Sequence, residues 1–251
     1  MAVGSPSLER HQPHVAGEHA WSLAEKGVLV RAARQSLFAG FEPPWAVEFH
    51  GTRIQIMTGS GHSSMSHREQ LLACGAATVN VAATVRMLGW AARCAWLPRP
   101  AAPEVAAHVT ARWRRAVEQQ DVARYAAIFH TGDWGEAAEP AGLPVALHEE
   151  LPGCQQQPRV TAMPLTPRSQ AAQRAGVHSG LLLSSRRDTA RDHLAVGALA
   201  QQLRLAAGSH GYGTSVLYRP FQAAKARRMR PAEGGVPQLV LRFGHAVTAA
   251  A

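Results

Sequence analysis

A long apolar segment, residues 66–98, constrains the fold of this chain more than any other part of the sequence. It opens with Ser66 and Glu69, whose three-residue spacing is that of a capping box at the start of a helix. Past its first turn the segment has few polar residues, so the helix it predicts, residues 68–88, should be buried on nearly every side rather than amphipathic. Gly89 can adopt the left-handed conformation that ends a helix, and a short strand is expected after it.

The same spacing of residues recurs later in the chain, in residues 192–220. Gly75 and Gly89 of the first segment are fourteen residues apart, as are Gly197 and Gly211 of the second, and in each segment a proline follows nine residues later. A pair of an arginine and an acidic residue opens each copy. Two related helix–strand units in one chain would pack about a pseudo-twofold axis, as the subunits of a symmetric dimer do.

The composition is that of a globular protein with a basic surface. The chain has 251 residues, is 46% hydrophobic and 17% charged, and carries a formal net charge of +9. A basic surface indicates anionic partners, with phosphorylated cofactors first. The basic residues are scattered apart from a run at residues 225–230, which we interpret as the solvated face of a helix. Nucleic acid is therefore a less favoured partner, and binding to it through the basic surface stays a third alternative. Three cysteines without a CxxC motif support neither a disulfide framework nor a zinc site, and no metal site is predicted.

Nothing in the sequence predicts secretion or insertion into a membrane. The N-terminus lacks a cationic segment followed by an apolar run. The helix at residues 68–88 falls short of the roughly 20 unbroken apolar residues of a membrane span, and Arg86 within it would be costly in lipid. We therefore expect a cytoplasmic protein without a membrane partner.

The remaining patterns predict an α+β fold with helices packed on a mixed sheet. A helical spacing of apolar residues predicts a helix at residues 21–38, and alternation around a His-Gly turn predicts a hairpin at residues 45–56. Residues 105–113 are predicted to be helical, although their second half also fits a strand. Residues 114–129 are predicted to form a helix with Val117 and Val122 among its apolar positions. Two further strands are expected at residues 180–184 and 237–243.

These elements divide the chain into two halves and two less regular segments. We expect a disordered arm at residues 1–20, a first half at 21–130, an irregular connector at 131–178 and a second half at 179–251. The two halves would together form a pseudo-dimer.

Three sets of residues, taken in order, resemble a known family. They are Arg31-Ala32-Ala33 with Pro44-Trp45, then Arg68-Glu69 through Cys74-Gly75-Ala76-Ala77 to Leu97-Pro98, then Leu194 and Gly197-Ala198 through to the closing residues 237–244. The set resembles the Acg-type FMN-binding oxidoreductases, a branch of the nitroreductase family. The resemblance implies two nitroreductase-like halves in one chain, with FMN passing a hydride from NAD(P)H to an electron-poor acceptor.

The flavin signature of that family is largely substituted in this chain. Where the family has a stretch resembling Arg-Ala-Pro-Ser-x-His-Asn-x-Gln-Pro-Trp, the chain has Gln35 in place of the arginine, and its serine, histidine and asparagine become Phe38, Gly40 and Phe41. Phenylalanine and glycine side chains offer no hydrogen bond to a flavin, and each unpaired polar group of a buried ligand costs on the order of 1–3 kcal/mol. We expect FMN binding to be weakened or lost.

The resemblance implies four residues that would contact FMN, and it assigns no catalytic residue. The four are Arg31, Gln35, Trp45 and Arg242. For Trp45 the alternative is packing in the core, and for the two arginines it is ordinary surface ion pairing. The function expected is an FMN- and NAD(P)H-type oxidoreductase with weakened flavin binding. The alternative is a non-catalytic protein that sequesters a flavin or binds a partner, as a monomeric pseudo-dimer or a homodimer.

Overall fold

The structure is a computed structural model, and it describes eight stretches of the chain. They are residues 19–38, 42–59, 65–98, 102–130, 140–141, 159–165, 180–217 and 235–245. Most of the expected arm, most of the expected connector and the basic run at residues 225–230 lie outside the described residues.

The described residues form four helices and nine strands. In chain order these are α1 (Leu23–Arg34), β1 (Trp45–His50), β2 (Arg53–Thr58), α2 (His67–Met87), β3 (Trp90–Trp96), β4 (Val105–Arg114), α3 (Gln119–His130), β5 (Pro140–Ala141), β6 (Val160–Leu165), β7 (Gly180–Ser185), α4 (Ala190–Ser209), β8 (Tyr212–Leu217) and β9 (Val236–His245). The predicted α+β class is confirmed. No helix in the described stretches is long and apolar enough to span a membrane.

The strands form two antiparallel sheets. The first has the order β1-β2-β4-β3, and the second has the order β6-β7-β9-β8, with the two-residue β5 also pairing with β9. Every pairing among the described strands is antiparallel, so the predicted mixed sheet is wrong for this part of the chain. The physical reason is that β1-β2, β3-β4, β6-β7 and β8-β9 join as hairpins, and the hairpins of each sheet then meet through β2 with β4 and β7 with β9, also antiparallel.

The two sheets repeat each other strand for strand. Each belongs to a unit of two strands, a helix and two strands: β1-β2-α2-β3-β4 and β6-β7-α4-β8-β9. Trp45 pairs with Thr58 at the start of the first unit. Val160 pairs with Ser185 at the same place in the second. Both β2 and β7 also have a register shift just before their last two residues, so the likeness extends to an irregularity of the ladder.

The two units meet through their helices, and glycines allow the close approach. α2 packs on the first sheet and α4 on the second, and the two helices pack on each other. A Cβ atom on Gly75 would overlap the carbonyl oxygen of Leu194, and one on Gly197 would overlap that of Leu72. In each helix the leucine lies three residues before the glycine, so the two contacts are reciprocal and equally spaced.

The predicted start and burial of α2 are confirmed. The Ser66 side chain accepts a hydrogen bond from the backbone N–H of Glu69, and the Ser66 N–H donates to Glu69 Oε2 at 2.7 Å. Beyond the first turn most residues of α2 are buried. α4 begins with the same arrangement, formed by Thr189 and Asp192, which was not predicted from the sequence.

The predicted helix in residues 105–113 is wrong, because these residues belong to strand β4. β4 lies between β2 and β3 and is buried from Val105 to Val109 on both faces. A strand covered on both faces has a continuous apolar run, which periodicity cannot separate from a buried helix. The following helix starts later than predicted, at Gln119, and the expected apolar positions Val117 and Val122 are 42% and 46% exposed.

Candidate functional site

Arg31 lies in the last turn of α1 and stacks on a ring of α3. Its guanidinium carbon is 5.3 Å from the centre of the Phe129 ring. Such a cation–π contact at a partly exposed position contributes roughly 0.5–1 kcal/mol. Arg31 therefore contributes to the packing of α1 against α3.

Gln35 caps the C-terminus of α1. Its carbonyl oxygen accepts a hydrogen bond from Arg204 Nη1 of α4 at 2.8 Å. The Gln35 residue is otherwise exposed. Its defined contact is therefore made by the backbone and connects α1 to the second unit.

Trp45, at the start of β1, is 7% exposed and belongs to the hydrophobic core of the first unit. Ile54, Ile56 and residues of α2 share that core. The Trp45 indole N–H is buried without a hydrogen-bond partner in the described part of the chain, as is that of Trp21 and of Trp90. Since this is common to three core tryptophans, it does not single out Trp45 as a ligand donor. Core packing accounts for its position.

Arg242 lies on β9 in the second unit. Its Nη2 donates to Ser215 Oγ on the neighbouring strand β8 at 3.0 Å. Ser215 is directly opposite Arg242 in the ladder, so the two side chains share a face of the second sheet. This contact is a hydrogen bond to a neutral hydroxyl.

The structure gives the four predicted FMN residues partners in four different places. Arg31 contacts α3, Gln35 contacts α4, Trp45 packs in the first core, and Arg242 contacts β8. Each of the four thus contacts a different element, which argues against the shared FMN site that the resemblance implies.

Of the substituted hydrogen-bonding positions Gln35, Phe38, Gly40 and Phe41, the structure describes Gln35 and Phe38, since residues 39–41 lie outside the described stretches. The φ of Phe38 is 65°, in the left-handed region. A bulky residue there is strained, at a cost of order 1–3 kcal/mol. The Phe38 side chain packs against the cores of both units. Contacts with both cores hold this strained backbone in place.

A polar cluster that was not predicted from the sequence consists of Arg68, Ser185, Asp188, His193 and Gln238. His193 Nε2 lies 2.7 Å from Asp188 Oδ1. Gln238 Nε2 donates to Ser185 Oγ at 2.8 Å and to Asp188 Oδ1 at 3.2 Å. Arg68 Nε, from α2, donates to Gln238 Oε1 at 2.9 Å. The cluster thus connects the first unit to β7, α4 and β9 of the second.

Electrostatics keep His193 neutral in this cluster. Burial is the main cause that lowers the pKa of His193, and it outweighs the opposing effect of Asp188. Burial also acts to raise the pKa of Asp188, but hydrogen bonds from His193 and Gln238 prevail and hold that pKa below its ordinary value. At neutral pH the pair is therefore an imidazole facing a carboxylate.

The cluster has the residue types of acid–base chemistry without the geometry of a nucleophilic site. Ser185 Oγ donates to the carbonyl oxygen of Arg187 at 2.6 Å and accepts from Gln238, so its hydrogen bonds lead away from His193. An activated serine needs its hydroxyl within hydrogen-bond reach of the base. The hydrogen bonds of the cluster join the first unit to the second. No local motif encodes it, because its members come from different elements.

No model of a known protein family matches the chain, and a comparison with curated proteins finds no similar sequence. Within the described residues, no group of three or more His, Cys, Asp and Glu side chains is placed to hold a metal ion.

Proposed function

We propose that this chain is a nitroreductase-like protein of two halves with weakened or lost FMN binding, acting as a non-catalytic protein that binds a partner or a small ligand. The proposal depends on the ordered resemblance of residues, which motivates the family. The observation that carries the loss of flavin is that the four candidate residues are engaged elsewhere. Their contacts lead to four different parts of the fold.

The energetic argument follows from those contacts. To reach a flavin phosphate, Arg242 would have to give up its hydrogen bond to Ser215. The loss of that bond would offset part of the binding free energy gained from the phosphate. Trp45 would have to leave the first core, and removing a large aromatic side chain from a core costs about 3–5 kcal/mol. Each such cost weakens binding, and 1.4 kcal/mol corresponds to about a factor of ten in affinity.

The second candidate is an active FMN-dependent NAD(P)H oxidoreductase. The observation that favours it is the left-handed backbone of Phe38, since strained residues cluster at functional sites. FMN would supply the hydride chemistry, and the protein would supply positioning.

A flavin titration with turnover separates the two. FMN is added to the purified protein and followed by quenching of flavin fluorescence, and NADH and NADPH oxidation is then measured with an electron-poor nitro compound. The proposal predicts no saturable binding at micromolar FMN and no turnover. Arg242→Ala and the control Arg93→Ala should behave as the unmodified protein does. Saturable binding that Arg242→Ala alone abolishes, with turnover, would establish the oxidoreductase.

A further inference from the structure

The first sheet brings together arginines that lie far apart in the sequence. Four residues lie opposite one another across its strands: His50, Arg53, Thr110 and Arg93. Residues directly opposite in a ladder share a face, and their Cβ atoms are about 5 Å apart. Arg53 and Arg93 therefore lie on either side of Thr110, about 10 Å from each other.

A third arginine lies near this row. Arg112 follows Thr110 by two residues on β4, next to the register shift between β3 and β4. We call His50, Arg53, Arg93, Thr110 and Arg112 the basic face. Arg93 and Arg112 are exposed and Arg53 is partly exposed. None of the three arginines has an ion-pair partner within the described part of the chain.

The opposite side of the same strands is the core. Phe49, Ile54 and Val109 form the corresponding inward row. On the outward side the next row contains Glu48, which is the one carboxylate on this face among the described residues, and its Oε2 lies 3.2 Å from His50 Nε2. Gln55 and His108 of that row are buried, so the open part of the face is the part that carries the arginines.

We propose that the basic face binds the phosphate backbone of nucleic acid without sequence preference. Guanidinium groups bind phosphate in a bidentate geometry, and contacts to phosphate supply most of non-specific affinity. The net charge of +9 adds long-range attraction to a polyanion. The sequence made this partner the less favoured alternative, because the arginines are scattered along the chain and the strand register brings them together.

The chemistry of the face favours nucleic acid over other anionic partners. A protein interface needs a largely apolar core, and the basic face consists of polar and charged side chains. Adsorption to an anionic membrane uses clusters of about 4–8 basic residues or inserted apolar groups. Binding to the phosphates of a nucleic acid needs neither. The inference is independent of whether the protein binds FMN.

The test is fluorescence anisotropy of a labelled DNA duplex of about 24 base pairs, in salt from about 50 to 200 mM. The unmodified protein should bind with an affinity that falls steeply with salt. The triple variant Arg53→Ala, Arg93→Ala, Arg112→Ala should reduce the slope of log K against log[salt] by about 3, at about 0.9 for each phosphate that an arginine no longer neutralises. Because Arg53 is partly buried, the double variant of Arg93 and Arg112 is measured too, with an expected reduction of about 2.

The matched control removes three exposed arginines elsewhere. Arg124→Ala, Arg186→Ala, Arg191→Ala lowers the net charge equally and should leave the slope nearly unchanged. An equal reduction in both triple variants would overturn the proposal, because net charge alone would explain binding. Absence of binding at the lowest salt concentration, or binding only to phosphatidylserine vesicles, would also overturn it. A third contrary result would be binding to single strands alone that Trp113→Ala abolishes. Trp113 is 44% exposed, and this result would mean that bases stack on it rather than that the basic face binds the phosphate backbone.

Discussion

Gln201 donates its side-chain N–H to Asn80 Oδ1 at 2.9 Å, across the contact between the two central helices. Both residues are fully buried. Asn80 Nδ2 also donates to the carbonyl oxygen of Ala32 at 2.9 Å, and Gln201 Oε1 accepts from the Leu37 N–H at 2.8 Å. The pair therefore connects both units to the end of α1 and the residues after it. A buried polar network stabilises one arrangement most when all of its hydrogen bonds are made. This network should therefore specify the packing of α2 against α4.

Removing either amide should destabilise the protein, and the two effects should couple. Asn80→Ala and Gln201→Ala each leave buried groups unpaired, at about 1–3 kcal/mol for each group. Urea unfolding of the single and double variants gives the coupling energy, expected to be at least about 0.5 kcal/mol. The exposed residue Gln120 supplies the control, and Gln120→Ala should change stability by less than about 0.5 kcal/mol. Strict additivity would contradict the direct contact.

The two helix-contact glycines should be equally intolerant of a side chain. Gly75→Ala and Gly197→Ala each place a methyl group against a backbone carbonyl of the partner helix, which cannot move aside alone. We expect a loss of several kcal/mol or failure to fold for both, measured by thermal unfolding. Gly27 in α1 has open space where its Cβ would lie, so Gly27→Ala should stabilise by about 0.5–1 kcal/mol. A large difference between the two central glycines would argue against the pseudo-twofold contact.

Stability should fall on acidification through His193. Its pKa is lowered in the folded protein, chiefly by burial, so the unfolded chain binds the proton more readily. This contribution is present above the ordinary histidine pKa of 6.5 and is lost as pH falls below that value. Urea unfolding about one pH unit above and below that value should show a smaller pH dependence in His193→Gln than in the unmodified protein. Gln120→Ala, at an exposed position without a titratable group, is the control and should keep the pH dependence of the unmodified protein.

The two described cysteines should differ in reactivity. Burial raises the pKa of the Cys74 thiol to about 12, and only the thiolate reacts with a disulfide reagent. Cys94 is exposed. In a Cys154→Ser background we expect one thiol to react with Ellman's reagent in the native protein and two after unfolding. Loss of the native signal in Cys94→Ser would assign it, and a native signal that persists in that variant would contradict the burial of Cys74.

The central helices were predictable because their signals are local. Ser66 and Glu69 satisfy each other's hydrogen bonds within one turn. Gly75 lies where the two helices are in close contact, and Gly89 ends α2 in the left-handed conformation at φ 82°. The corresponding Gly211 has φ 79°. Such requirements act on single residues, so they leave a pattern in the sequence.

The strand assignment and the sites were less predictable because they depend on distant parts of the chain. Residues 105–113 looked helical because the first half of β4, from Val105 to Val109, is buried on both faces. The partners of Arg242 and Gln35 are fixed by which strand and helix lie next to them, and a resemblance of motifs does not supply that. The basic face likewise exists only through the strand register that places Arg53 and Arg93 on either side of one residue.

The visible absorption spectrum of the protein purified without added flavin tests the central claim most directly. The proposal that the FMN site is weakened or lost predicts no flavin band, or one far below one flavin for each chain, before and after incubation with excess FMN and removal of the unbound ligand. A band near stoichiometric occupancy that survives this removal would contradict it.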